Sequence, residues 1–158
     1  MQRRFVVSDP EKCVGCRICD VVCALVKEKA CNPLLSRIRS VRLEPAINMS
    51  IACCLCEDPM CVKSCPKNAL YKDEKTGVIQ VHEDKCDGCA WCIETCGFGA
   101  ITLHPTKKTV VICDLCGGDP KCIQYCPTNA LMFLTPEEIS QKARKKLTNG
   151  LAEKLLTG

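Results

Sequence analysis

Four cysteines fall within eleven residues at Cys86-x2-Cys89-x2-Cys92-x3-Cys96, and this run sets the terms for the whole chain. Thiolates are soft ligands that suit iron–sulfur clusters, zinc and Cu(I). Two gaps of two residues let three thiolates converge on one face of a cluster. The three-residue gap puts Cys96 one helical turn past Cys92, where it can point toward a second cluster. The pattern occurs four times. Run one is Cys13-x2-Cys16-x2-Cys19-x3-Cys23, and run two is Cys53-x2-Cys56-x4-Cys61-x3-Cys65-Pro66. Run four is Cys113-x2-Cys116-x5-Cys122-x3-Cys126-Pro127. Structural zinc takes well-separated Cys-x2-Cys pairs or mixes Cys with His, so the runs favour clusters.

The rest of the composition agrees. Eighteen of 158 residues are Cys; without them the hydrophobic share of 47% falls to about 35%, a thin supply for a packed core. Aromatics are only 4%, so something other than apolar side chains must fill the interior. The formal charge of +4 counts every Cys as neutral. Sixteen thiolates around four oxidised clusters would bring the holoprotein to about −4. The apparent basicity is therefore no argument for nucleic acid. A disulfide scaffold needs an oxidising compartment. Arg3-Arg4 hints at a twin-arginine signal, but Phe5-Val6-Val7 is followed at once by Ser8-Asp9-Pro10, with no apolar signal core. No apolar run reaches membrane-spanning length. We expect a reduced, cytoplasmic protein with no membrane span.

In chain order, Phe5-Val6-Val7 reads as a strand leading into run one, and a short helix leaves it over Asp20–Lys29. Cys31 reads as a small buried hydrophobe. Residues 34–47 form an insert whose β-branched residues predict a strand, with Arg37, Arg39 and Arg42 on a solvated face. Runs two and four end alike, as Cys65-Pro66-Lys67-Asn68-Ala69-Leu70 and Cys126-Pro127-Thr128-Asn129-Ala130-Leu131, an internal duplication. Aligning them puts Cys54 opposite Asp114, which makes Cys54 a spare. Residues 71–81 and 101–112 each predict a hairpin. Leu131–Leu134 reads as a strand that pairs with Phe5-Val6-Val7 and closes the body. Thr135-Pro136-Glu137-Glu138 is a helix start. Ile139, Ala143, Leu147 and Leu151 then recur as an apolar stripe, on a helix with a possible break at Asn149-Gly150.

Nothing else carries a catalytic pattern. His82 and His104 read as surface or turn residues, and Gly117-Gly118 lacks a phosphate-loop context. Trp91, between Cys89 and Cys92, is expected to shield a cluster from water.

Over residues 3–134 these runs resemble the four-cluster, ferredoxin-like electron-transfer subunits of multi-subunit oxidoreductases. Short members accompanying tungsten aldehyde oxidoreductases and benzoyl-CoA reductase are the most similar. The resemblance implies four 4Fe-4S clusters with crossed ligation: Cys13, Cys16, Cys19 and Cys126; Cys23, Cys113, Cys116 and Cys122; Cys53, Cys56, Cys61 and Cys96; and Cys65, Cys86, Cys89 and Cys92. It implies an α+β fold of two interleaved ferredoxin-like βαββαβ modules, one from runs two and three, the other from runs one and four. We divide the chain into run one over 3–33, the insert over 34–47, run two over 48–75, run three over 76–106, run four over 107–134 and a C-terminal helix over 135–158. The expected function is a non-catalytic relay of single electrons. Its partners would be a large tungsten- or molybdenum-type catalytic subunit and a soluble ferredoxin or flavin-containing subunit. The alternatives are a free-standing polyferredoxin, or the electron-transfer subunit of a carbon monoxide dehydrogenase, formate dehydrogenase or hydrogenase. A redox sensor is a third class, but residues 135–158 are short for an output domain.

Overall fold

Short apolar stretches separated by cysteine loops can build only short elements, and that is what forms. The computed structural model describes residues 3–44 and 46–156, with side chains through 149. Eight strands pair off as four separate two-stranded antiparallel sheets. Strand β1 (Phe5–Ser8) pairs with β8 (Leu131–Leu134), Phe5 lying opposite Leu134. The ends of the body thus meet as the sequence predicts. Strands β4 (Leu70–Lys72) and β5 (Ile79–Val81) form one expected hairpin. Strands β6 (Ile101–Leu103) and β7 (Val110–Ile112) form the other.

The insert becomes a hairpin rather than a lone strand. Strand β2 (Arg39–Leu43) pairs with β3 (Ile47–Ile51), so the second strand runs on toward run two. A 3-10 turn over Pro33–Leu35 precedes it, with Asn32 Oδ1 accepting from Leu34 N at 3.1 Å.

Each run also supplies a helix. These are α1 (Ile18–Glu28), α2 (Met60–Lys63), α3 (Trp91–Glu94) and α4 (Lys121–Gln124). Helix α1 packs on α4 and α2 on α3. The fold is therefore a small α+β ferredoxin-like body. Its core is narrow: Ile38, Leu55, Ile79, Ala69 and Ala130 are almost fully buried, and cysteines line much of the rest.

The duplication is visible in the backbone. Leu55 and Leu115 both have positive φ, 47° and 56°, at matched places in runs two and four. Asn68 and Asn129 match at 48° and 50°, and Arg17 and Ala90 at 62° and 68° in runs one and three. A non-Gly residue in this region is uncommon, so its recurrence at equivalent positions marks one loop design used twice.

Helix α5 (Pro136–Leu156) starts with the expected capping box. Glu138 N donates to Thr135 Oγ1 at 3.3 Å, and Thr135 N donates to Glu138 Oε2 at 2.8 Å. The helix runs through Asn149-Gly150 without the anticipated break. The apolar stripe is not the face turned to the body. Ile139 is partly buried, but Ala143 is exposed and Leu147 is 66% exposed. Lys142 and Lys146 instead reach Asp9 at 2.9 Å and Glu11 at 2.7 Å. The side chain of Leu151 lies outside the described residues. Among the described residues no helix is long and apolar enough to cross a membrane.

Candidate metal centres

All eighteen cysteines are free thiols, and most are buried or half-buried. A hollow is ringed by Cys13, Cys16, Cys19 and, from more than a hundred residues away, Cys126. The backbone explains the convergence. Gly15 (φ 68°) and Arg17 (φ 62°) are left-handed, which curls the loop so that three thiols face inward. Gly15 also lies against the insert: an added Cβ there would sit 2.5 Å from Asn48 Oδ1. No larger residue fits without displacing Asn48.

A second hollow repeats the arrangement with Cys65, Cys86, Cys89 and Cys92. Gly88 (φ 73°) and Ala90 (φ 68°) take the places of Gly15 and Arg17. The prolines that follow the last cysteines of runs two and four, Pro66 and Pro127, line one cavity each. Proline turns the chain there and leaves no N–H to satisfy.

The remaining thiols fall into two further groups, close enough to raise one another. Burial pushes the Cys113 thiol up to about 11, and Cys23 and Cys116 add to the effect as like charges. Burial likewise pushes Cys122 up, with Cys113, Cys23 and Cys116 close enough to contribute. The other group is Cys56, Cys61 and Cys96, with Cys53 and Cys54 beside it. Burial raises Cys61, and Cys96 and Cys56 raise it further. Burial pushes Cys53 up to about 12, with Cys113, Cys61 and Cys54 adding to it. Cys54, raised by burial and by Cys56 and Cys96, is half-buried at the edge of this set.

Thiols crowded together and drawn out of water resist ionisation, because each new thiolate meets desolvation and its neighbours' charge. Iron inverts that balance, since a coordinated thiol is deprotonated outright. Among the described residues, no three His, Cys, Asp or Glu side chains converge closely enough to hold a single metal ion. In a 4Fe-4S cluster each thiolate binds a different iron, so the sulfurs stand apart around a shared volume. The donor set and the cavities fit that arrangement.

Hydrogen-bond donors surround the sulfurs. Ser40 and Ser50 place their hydroxyls 3.4 Å from Cys19 Sγ, both supplied by the insert hairpin. Arg37 N donates to Cys23 Sγ at 3.3 Å and Ala69 N to Cys65 Sγ at 3.2 Å. No motif in the sequence marks these donors.

Several side chains depart from expectation. Cys31 is exposed, because it follows the left-handed end of α1 at Lys29 and precedes the surface 3-10 turn. Trp91 is 62% exposed: it is the first residue of α3 and faces away from the cavity that Cys92 lines. Arg37 and Arg39 are not on a solvated face. Arg37 pairs with Asp114 at 3.1 Å, and Arg39 donates to the Pro33 and Leu34 carbonyls and to Thr102. Only Arg42 is as expected, exposed and paired with Glu44. His82 stacks on Tyr71 at 4.4 Å. His104 sits in a turn yet is buried, its Nδ1 accepting from Thr106 N and Lys107 N.

Buried thiols ringing shared cavities, on paired short helices and hairpins, define an iron–sulfur electron-transfer protein of ferredoxin-like type. Residues 46–135 match the family described as a 4Fe-4S dicluster domain, and the chain belongs to that family. The polyferredoxin-like subunit of an aliphatic sulfonate oxidoreductase from Pyrococcus furiosus is 46% identical over 125 residues, covering 79% of this chain and 72% of the relative. A putative electron transport protein, YsaA of Escherichia coli, is 34% identical over 150 residues, covering 87% and 94%. Among solved structures, a chain of the BamBC active-site complex of benzoyl-coenzyme A reductase superposes with a TM-score of 0.50. It shares 19% identity, with coverage of 98% of this chain and 99% of that one, a likeness of fold. The chain is thus an iron–sulfur electron-transport protein of the kind found as subunits of oxidoreductases.

Proposed function

We propose that this chain holds four 4Fe-4S clusters in two interleaved modules and relays single electrons between a large catalytic oxidoreductase subunit and a soluble carrier. The observation that carries this is the makeup of the two cavities. Each is ringed by three cysteines of one run and the last cysteine of another: Cys13, Cys16 and Cys19 with Cys126, and Cys86, Cys89 and Cys92 with Cys65. The grouping of Cys23 with Cys113, Cys116 and Cys122 supports a third set of the same kind. Cys53, Cys56, Cys61 and Cys96 are the fourth. The packing of α1 on α4 and α2 on α3 supports the interleaving. Bound clusters supply reversible one-electron chemistry. The chain's own groups hold them, exclude water and set their potentials through burial and hydrogen bonds to sulfur.

In this role the chain itself makes and breaks no substrate bond. The polyferredoxin-like relative is named as an oxidoreductase subunit, which favours a complex over a free polyferredoxin. The partner we favour is of the tungsten or molybdenum type. The direct test of crossing is Cys126→Ala in anaerobically purified protein. It should damage the cluster at Cys13, Cys16 and Cys19 and leave the one at Cys113, Cys116 and Cys122 spectroscopically intact. Damage confined to the latter would refute the pairing. Anaerobic purification should bring down a large metalloenzyme subunit, whereas a chain that purifies alone with full activity toward carriers would be a free polyferredoxin.

A further inference from the structure

An open groove of about 1310 Å³ lies between the start of the chain, the β4–β5 hairpin and the loop of run four. Its rim carries Arg3, Arg4 and Lys75, and its floor is Val78, Leu115 and Phe133. Among the described residues none of the three cations is in an ion pair. The lining includes one carboxylate, Asp114, already held by Lys27 at 2.7 Å and Arg37 at 3.1 Å. Glu138 feels the charge of Arg4 but is occupied in the capping box. The groove is thus locally positive on a molecule that four clusters would make negative overall.

The rim is also pre-positioned. The Arg4 guanidinium lies 5.6 Å from the centre of the Phe133 ring, and that of Arg3 5.7 Å from Phe5. Arg3 further donates to the Leu55 carbonyl, between Cys53 and Cys56. On the opposite side Gly117 (φ 71°) and Gly118 (φ 102°) leave open space where side chains would stand, directly after Cys116. Whatever occupies the groove touches the cysteine loop of run four at Asp114, Leu115, Gly117 and Gly118.

We propose that this groove docks the acidic face of a small soluble electron-carrier protein, with electrons crossing through the loop around Cys116. This rests on the electron-relay function above and names where its soluble partner binds. A polar, charged rim around an apolar floor is the anatomy of a protein interface. Positive charge at the rim steers an acidic carrier and raises its association rate about 10- to 1,000-fold, an effect that fades with salt. Arg37 and Arg39, engaged within the body, cannot play this part.

The test uses the full-length holoprotein with an acidic two-cluster ferredoxin as probe, and the methyl viologen radical cation as a reductant of opposite charge. Iron content is measured first. The variant Arg3→Glu/Arg4→Glu/Lys75→Glu should keep its iron and lose at least tenfold in second-order rate with the ferredoxin at about 0.01 M salt. The difference should vanish near 1 M, where the screening length falls to about 3 Å. Its rate with methyl viologen should not fall. Because Arg3 bonds to Leu55, Arg4→Glu/Lys75→Glu is the second variant, with a smaller loss of the same sign. An unchanged ferredoxin rate in either iron-replete variant overturns the docking site. So does an equal loss from a control reversal at Lys107 and Lys121. A wild-type protein that lacks clusters, or that methyl viologen cannot reduce, would overturn the electron-relay function itself.

Discussion

Asp20 is the most buried charged side chain of the body, 1% exposed, yet it is satisfied. Its carboxylate accepts from Ser40 N at 3.1 Å and from Arg17 Nε at 3.2 Å, tying α1 to β2 beside Cys19. Asp20→Ala would strand a buried backbone donor. The expected loss is about 1–3 kcal/mol, a fall in Tm of roughly 3–10 °C, read by calorimetry under anaerobic conditions. Cys54 is the contrasting case. It sits beside Cys56 and Cys96, and its thiol donates only weakly, to the Ala52 carbonyl at 3.9 Å. Cys54→Ala, like Cys31→Ala, should retain all iron, and loss of four iron from either would mean that the variant residue is a ligand. The cysteine spacing marks which residues could be ligands, and only the alignment of run two with run four sets Cys54 aside. It could not mark Ser40, Ser50 or the Arg37 amide as partners of sulfur. Their roles depend on where a hairpin folds back, which no local pattern encodes.

At the scale of elements, strand pairing was largely legible because each strand carries β-branched or aromatic residues between turn residues. The insert was half legible. One strand was anticipated; β3 carries the period-2 alternation of a strand, Ile47, Met49 and Ile51 against Asn48 and Ser50, but an insert bounded at 47 passes over it. That hairpin has a specific consequence. If the hydroxyls of Ser40 and Ser50 donate to Cys19 Sγ, they stabilise the more negative reduced state of the adjoining cluster. Ser40→Ala and Ser50→Ala should each lower one midpoint potential, and the double variant should lower it further, in an anaerobic redox titration followed by EPR. Unchanged potentials would show that the contacts are packing only. Helix α5 was legible at its start, while its packed face was left open and its anticipated break is absent. Its cap is set by four adjacent residues, whereas the packed face is chosen by Asp9 and Glu11, over a hundred residues away. Lys142 holds the Asp9 carboxyl below its usual 3.8, so this contact is intact above that value and fades as pH falls through the lower folded value. Exposed pairs of this kind contribute only about 0.2–1 kcal/mol each. Deleting residues 136–158 should therefore leave every cluster in place and move Tm by a few degrees at most, while weakening association with a catalytic subunit. Loss of clusters on truncation would place the helix in the core instead.

The whole molecule is a shell of short elements around sites that the chain alone cannot fill. Four two-stranded sheets share no continuous sheet, and the apolar core between them is thin. A body of this size ordinarily depends on buried apolar surface; here eleven of the sixteen motif cysteines lie in or against the core. Burial drives the thiols Cys53, Cys92 and Cys113 up to about 11–12, and bound iron would reverse that preference. Metal binding and folding should therefore be coupled across the molecule, and in the proposed crossed pairing Cys126 would tie run four to run one. The measurement that bears most directly on this account is the iron and acid-labile sulfide content of the anaerobically purified protein. Setting aside Cys31 and Cys54 from the eighteen cysteines leaves ligands for four clusters, and the account predicts sixteen iron and sixteen sulfide per chain. Eight of each, or stoichiometric zinc with little sulfide, would contradict it.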